Sequence, residues 1–122
     1  QTCALPISYS NEAKIHRLGV PREQIVEHGA VSPQVAESMA RGACESGGAD
    51  MAVSTTGIAG PTGGTPEKPV GLVYVGVCTP AGADVRELHI DRPRRKVKVR
   101  AAKHALNELR LALLNPGRGA GE

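Results

Sequence analysis

The run V-G-L-V-Y-V-G-V-C-T, Val70 to Thr79, constrains this chain more than any other stretch. It is β-branched and apolar enough to read as a central strand rather than an exposed edge. Pro80 and Gly82 then turn the chain into Asp84–Ile90, and the two strands are expected to form a hairpin. Asp50–Thr55 reads as a short buried strand, with Met51, Ala52 and Val53 in a row.

Helical signals lie on both sides of these strands. Ser10 can cap a helix carrying Ala13, Ile15 and Leu18, stopped by Gly19. Pro21 begins a second amphipathic turn, with Ile25 and Val26 inward and Gly29 at its end. Ser32 and Pro33 supply an N-cap and first-turn proline for a third helix, where Val35, Met39 and Ala43 recur every four residues up to Gly47 and Gly48. Val99, Ala102, Leu106, Leu109 and Leu113 mark the apolar face of a last helix, which Pro116 and Gly117 terminate. The expected fold is α/β: a three-layer α/β/α domain with a mixed sheet.

A length of 122 residues, 40% hydrophobic and 22% charged, fits one folded domain. Tyr9 and Tyr74 are the only aromatic residues, so Val, Ile, Leu, Ala and Met must build the core. The stacking platforms of single-strand nucleic-acid binders are therefore missing. Cys3, Cys44 and Cys78 show no CxxC spacing, which argues against a disulfide framework or zinc knuckle and favours a reducing, cytoplasmic setting. The histidines His16, His28, His89 and His104 never fall at metal-ligand spacing, so neither a metal nor a cofactor is expected. No apolar run approaches the roughly 18 residues of a membrane span.

Two segments carry chemistry. The stretch T-G-I-A-G-P-T-G-G-T-P-E-K-P-V-G, Thr56 to Gly71, leaves one strand and returns to another. Gly57, Gly60, Gly63 and Gly64 let its backbone approach a ligand, while backbone N–H groups and the Thr56 hydroxyl can hold an anion. Its spacing is not that of a nucleotide-triphosphate loop. The second segment is Y-S-N-E-A-K, Tyr9 to Lys14, at an expected strand-to-helix transition. A desolvated Lys14 can act as a general base, with the Tyr9 hydroxyl sharing the proton traffic.

These two motifs, with H-G-A-V-S at His28 to Ser32 between them, resemble the CinA C-terminal domain family over essentially Ser8 to Leu114. The resemblance implies an amide hydrolase that converts nicotinamide mononucleotide to nicotinic acid mononucleotide and ammonia in pyridine-nucleotide salvage. A serine attacks the carboxamide, Lys14 and Tyr9 match the base and proton relay, and Thr56 matches a hydroxyl orienting nucleophile or amide. Backbone N–H groups nearby would serve the oxyanion. An arginine after the hairpin would grip the substrate phosphate; Arg92 fits locally, whereas spacing counted from the last helix selects Arg94. The substrate is a small molecule, a homodimer is allowed for, and neither membrane nor nucleic acid is an expected partner.

The chain departs from that pattern in one respect. The family's nucleophile lies in an A-E-S-C-T-G-G motif upstream of Y-S-N-E-A-K, and these 122 residues contain no such motif. The stretch is accordingly expected to be an N-terminally truncated, catalytically inactive piece of the domain, which would occupy 8–115, with 116–122 as a tail. Residues 1–7 are set aside as non-native, since one codon choice for Q-T-C-A-L-P-I reads as a sequencing adapter in frame. The competing reading is a non-enzymatic module that holds a phosphate ligand or nucleic acid through the basic run Arg92 to Lys103.

Overall fold

The computed structural model describes residues 10–60, 63–91 and 93–114. Three strands form one sheet in the order β1-β2-β3: Ala52–Gly57, Leu72–Thr79 and Gly82–His89. The apolar strand β2 is central, as its composition requires, and its two alternating faces meet different helices. Val73, Val75 and Val77 point to one side, where they pack with Val97, Ala101, Ala105 and Ala112 of α4, Arg94–Leu114. On the other side lies α3, Pro33–Gly47, close enough that a Cβ on Gly76 would sit 2.9 Å from the Ala36 carbonyl carbon. Helix–sheet–helix layering follows directly from that alternation.

The remaining helices, α1 (Asn11–Leu18) and α2 (Arg22–His28), extend the α3 side. Leu18, Val20, Val35 and Met39 form a second small core there, with Ile25 and Ala43 at its edge. The caps behave as the sequence indicates: the Ser10 hydroxyl accepts from the Ala13 N–H at 3.1 Å, and Ser32 accepts from the Val35 N–H at 3.3 Å. Gly19 and Gly48 end their helices in the left-handed region, at φ 68° and 60°.

Several expectations are corrected. The three described strands pair antiparallel throughout, so the parallel component of a mixed sheet is absent among the described residues. The connections explain it: β2 returns through the tight turn at Pro80 and Ala81, β1 reaches β2 through the 58–71 loop, and among the described residues no helix crosses over between strands. Strand β1 begins two residues later than the expected start at Asp50 and alternates, with Ser54 and Thr56 buried toward α3. Val26 of α2 is 81% exposed; the small core is filled by Ile25 instead.

The face of α4 is the larger correction. Val99, Leu106 and Leu113 are exposed, whereas Val97 and three alanines face the sheet. Alanines at the contact bring the helix axis close to the valines of β2, and the larger leucines find no room on that side. Residue size decided the face, not hydrophobicity alone.

Candidate active site

Two of the three motifs are tied together by side-chain hydrogen bonds. Thr56, at the end of β1, is 8% exposed and donates its hydroxyl to the Ala30 carbonyl at 2.8 Å. Lys68, in the loop after β1, donates its ammonium to the carbonyl of His28 at the end of α2. A cation suits that helix end, where unpaired carbonyls carry the negative pole. The turn 28–32 is thus gripped from the strand and from the loop. Ser32 closes it from within, donating to the Gly29 carbonyl at 2.9 Å.

The bond to Ala30 sets what Thr56 can offer. Its proton is committed, so the oxygen presents lone pairs to an incoming O–H or N–H donor, such as a serine hydroxyl or the NH₂ of a carboxamide. Sequence reading singled out Thr56 but not Lys68, whose role needs the fold: no spacing rule places a loop lysine on a helix end 40 residues upstream.

Lys14 is the other described member of the set. It lies on α1, which packs against α3, and it is 6% exposed. Burial holds its amine below the ordinary lysine value of 10.5 by penalising the charged form. Its helix, α1, is fixed against α3 by the close approach of Leu18 to Gly42. Lys14 and Thr56 are both withdrawn from solvent. Tyr9 and Arg92, expected beside them, lie outside the described residues.

The glycines of the 57–71 loop have an internal use. A Cβ on Gly57 would meet the Leu72 carbonyl oxygen at 2.8 Å, and one on Gly64 would meet the Val70 nitrogen at 2.8 Å. Gly60 and Gly63 take positive φ, 82° and 94°. The loop therefore folds against its own return strand, closed by the pair Ile58 N–H to Leu72 carbonyl at 2.9 Å and Gly71 N–H to Ile58 carbonyl at 2.7 Å.

Arg94 joins the loop to α4. Its guanidinium donates to the Gly60 carbonyl at 3.2 Å. Arg94, Arg95 and Lys96 occupy the first turn of α4 with no acidic residue among them. Cations at a helix N-terminus oppose the dipole, so this end of α4 carries unusually positive potential beside the glycine-rich loop. Among the described residues no group of three His, Cys, Asp or Glu could hold a metal ion, and no helix is long and apolar enough to cross a membrane.

Helices on both faces of the sheet, with a buried lysine on the first helix and a buried hydroxyl clasped to the turn before the third, define a three-layer α/β domain. The chain belongs to the CinA C-terminal domain family, whose family model matches residues 6–113. A CinA-like protein of Kosmotoga olearia is 53% identical over 108 residues, 88% of this chain and 26% of the relative. A putative competence-damage inducible protein of Caldicellulosiruptor saccharolyticus is 51% identical over 109 residues, again 26% of that protein. The chain thus spans about a quarter of the length of the curated relatives it matches. Among solved structures, a competence/damage inducible protein from Agrobacterium tumefaciens superposes with a TM-score of 0.80 at 41% identity, covering 84% of this chain and 63% of that one. A Klebsiella pneumoniae competence damage-inducible protein gives 0.82 at 30% identity, covering 88% and 66%.

Proposed function

We propose that this domain belongs to an amide hydrolase acting on nicotinamide mononucleotide, releasing ammonia and nicotinic acid mononucleotide. The observation that carries the reading is the buried Lys14, with its proton affinity lowered by desolvation, in a chain of this family. A neutral amine can take the proton from an attacking hydroxyl and return it to the departing ammonia. Tyr9 would relay that proton. Thr56 would accept from the nucleophile or the amide NH₂, consistent with its own proton being held by Ala30.

The phosphate would be met at the positive start of α4. Arg92 is the local choice; the contact of Arg94 with Gly60 favours Arg94 as a partner at the rim of the same loop. The loop glycines Gly57, Gly60, Gly63 and Gly64 would keep its backbone low under the ligand. The attacking hydroxyl is not among these residues, since the A-E-S-C-T-G-G motif is absent from them. This domain joined to a segment that carries that motif should therefore release ammonia from nicotinamide mononucleotide, and both its Lys14→Ala variant and the 122-residue chain should not. Ammonia release unaffected by Lys14→Ala would reject the reading.

A nucleic-acid module remains the competing reading, because Arg95, Lys96, Lys98, Arg100 and Lys103 are all exposed on α4. Binding to a duplex that weakens steeply with salt, without amidase activity, would favour it.

A further inference from the structure

Cys44 and Cys78 lie far apart in sequence and carry no motif, yet the fold sets them side by side. Cys44 stands in the last turns of α3, and Cys78 near the end of β2 on the face that α3 covers. The Cys44 thiol donates to the Cys78 carbonyl oxygen at 3.9 Å, which sets its sulfur against the backbone of Cys78. Both are free and partly exposed, so a small oxidant can reach them. Cross-strand neighbours of Cys78 are Ala52 and Ala83, which leave its side chain uncrowded.

We propose that Cys44 and Cys78 are an oxidative modification site: a dithiol that closes to an intramolecular disulfide and fastens α3 to the central strand. The co-reactant is a small-molecule disulfide of the glutathione class. One thiolate attacks the oxidant's S–S bond, forming a mixed disulfide and expelling one small thiol. The other thiolate then attacks the protein sulfur of that mixed disulfide and expels the second. Two protein thiols are oxidised, one small disulfide is reduced to two thiols, and the protons of Cys44 and Cys78 end on the released thiols.

Cys78 makes the first attack. Burial, then the neighbouring Cys78 thiol, pushes the Cys44 thiol up to about 11, so Cys44 is a poor first nucleophile and acts as the resolving partner. Closure joins residues 34 apart, which restricts the unfolded chain and raises the unfolding temperature by several degrees.

The test is a glutathione redox titration of the 122-residue chain carrying Cys3→Ser, in buffer and in urea, followed by cleavage after glutamate. Glu45 and Glu67 separate the two cysteines, so a linked peptide pair reports the bond. The expected result is a two-dalton loss, a Cys44–Cys78 linked pair, and an effective thiol concentration about 100-fold higher in buffer than in urea. Cys44→Ser and Cys78→Ser should each abolish the link and leave a single glutathione adduct. Separate adducts on both thiols without a link, or equal effective concentrations in buffer and urea, would overturn the proposal. Because no activity is read, its failure is distinct from failure of the amidase reading.

Discussion

Gly42→Ala separates what helix propensity predicts from what packing requires. Gly42 is buried within α3, where an isolated helix would gain about 1 kcal/mol from alanine. In the folded protein the added Cβ would overlap the Leu18 carbonyl oxygen and stand 2.6 Å from its carbonyl carbon. These are backbone atoms at the end of α1, which cannot rotate aside as a side-chain tip can. Relief requires α1 to slide away from α3, at the overpacking cost of about 1–3 kcal/mol or more. Overlap with backbone atoms places the cost in the upper part of that range, above the propensity gain, so the net effect should be destabilising. With a urea dependence of about 1–3 kcal/mol/M, the midpoint should fall by several tenths of a molar or more. Lys14 lies one helical turn before Leu18, so the shift should also rehydrate it and raise its proton affinity. A midpoint that rises, as propensity alone predicts, would refute the claim that α1 and α3 touch at Gly42.

Thr56→Val keeps the shape but leaves the Ala30 carbonyl without its partner, and should cost about 1 kcal/mol or more in urea unfolding. Thr56→Ser keeps the bond and should cost less; the opposite order would contradict the assigned contact. On α4, Leu106→Lys should change stability by less than about 0.5 kcal/mol. Ala101→Leu should cost about 1–3 kcal/mol, because it wedges the helix off β2; equal effects in thermal melts would place the buried face wrongly. On the proposed amide-hydrolase reading, alanine at the phosphate arginine, Arg92 or Arg94, should raise KM for the mononucleotide far more than for its nucleoside. An equal rise for both substrates would remove the phosphate role.

The sequence disclosed most where one local rule decides the outcome. Ser10, Ser32, Gly19 and Gly48 start and stop helices by their own hydrogen bonding and backbone freedom, and those ends lie where expected. The hairpin from β2 to β3 was legible for the same reason. The α4 face was not, because alanine and leucine are both apolar, and only the distance to the sheet tells them apart. In the site, Lys14 and Thr56 were visible as residue types within motifs, but their burial was not. Lys68 on His28, Arg94 on Gly60 and Cys44 beside Cys78 join segments at least 34 residues apart, and no periodicity encodes them.

The central claim is that Lys14 is held inside the protein where its charge is costly and its proton is easily given up. A pH titration of lysine side chains by NMR, assigned with Lys14→Met, tests it most directly. The folded chain should show the Lys14 midpoint below 10.5. Since the folded form then binds fewer protons than the unfolded one, stability should rise with pH between that lowered midpoint and 10.5, and Lys14→Met should remove this part of the rise. A Lys14 that titrates at 10.5 or above, with the same pH dependence of stability in Lys14→Met, would contradict the account.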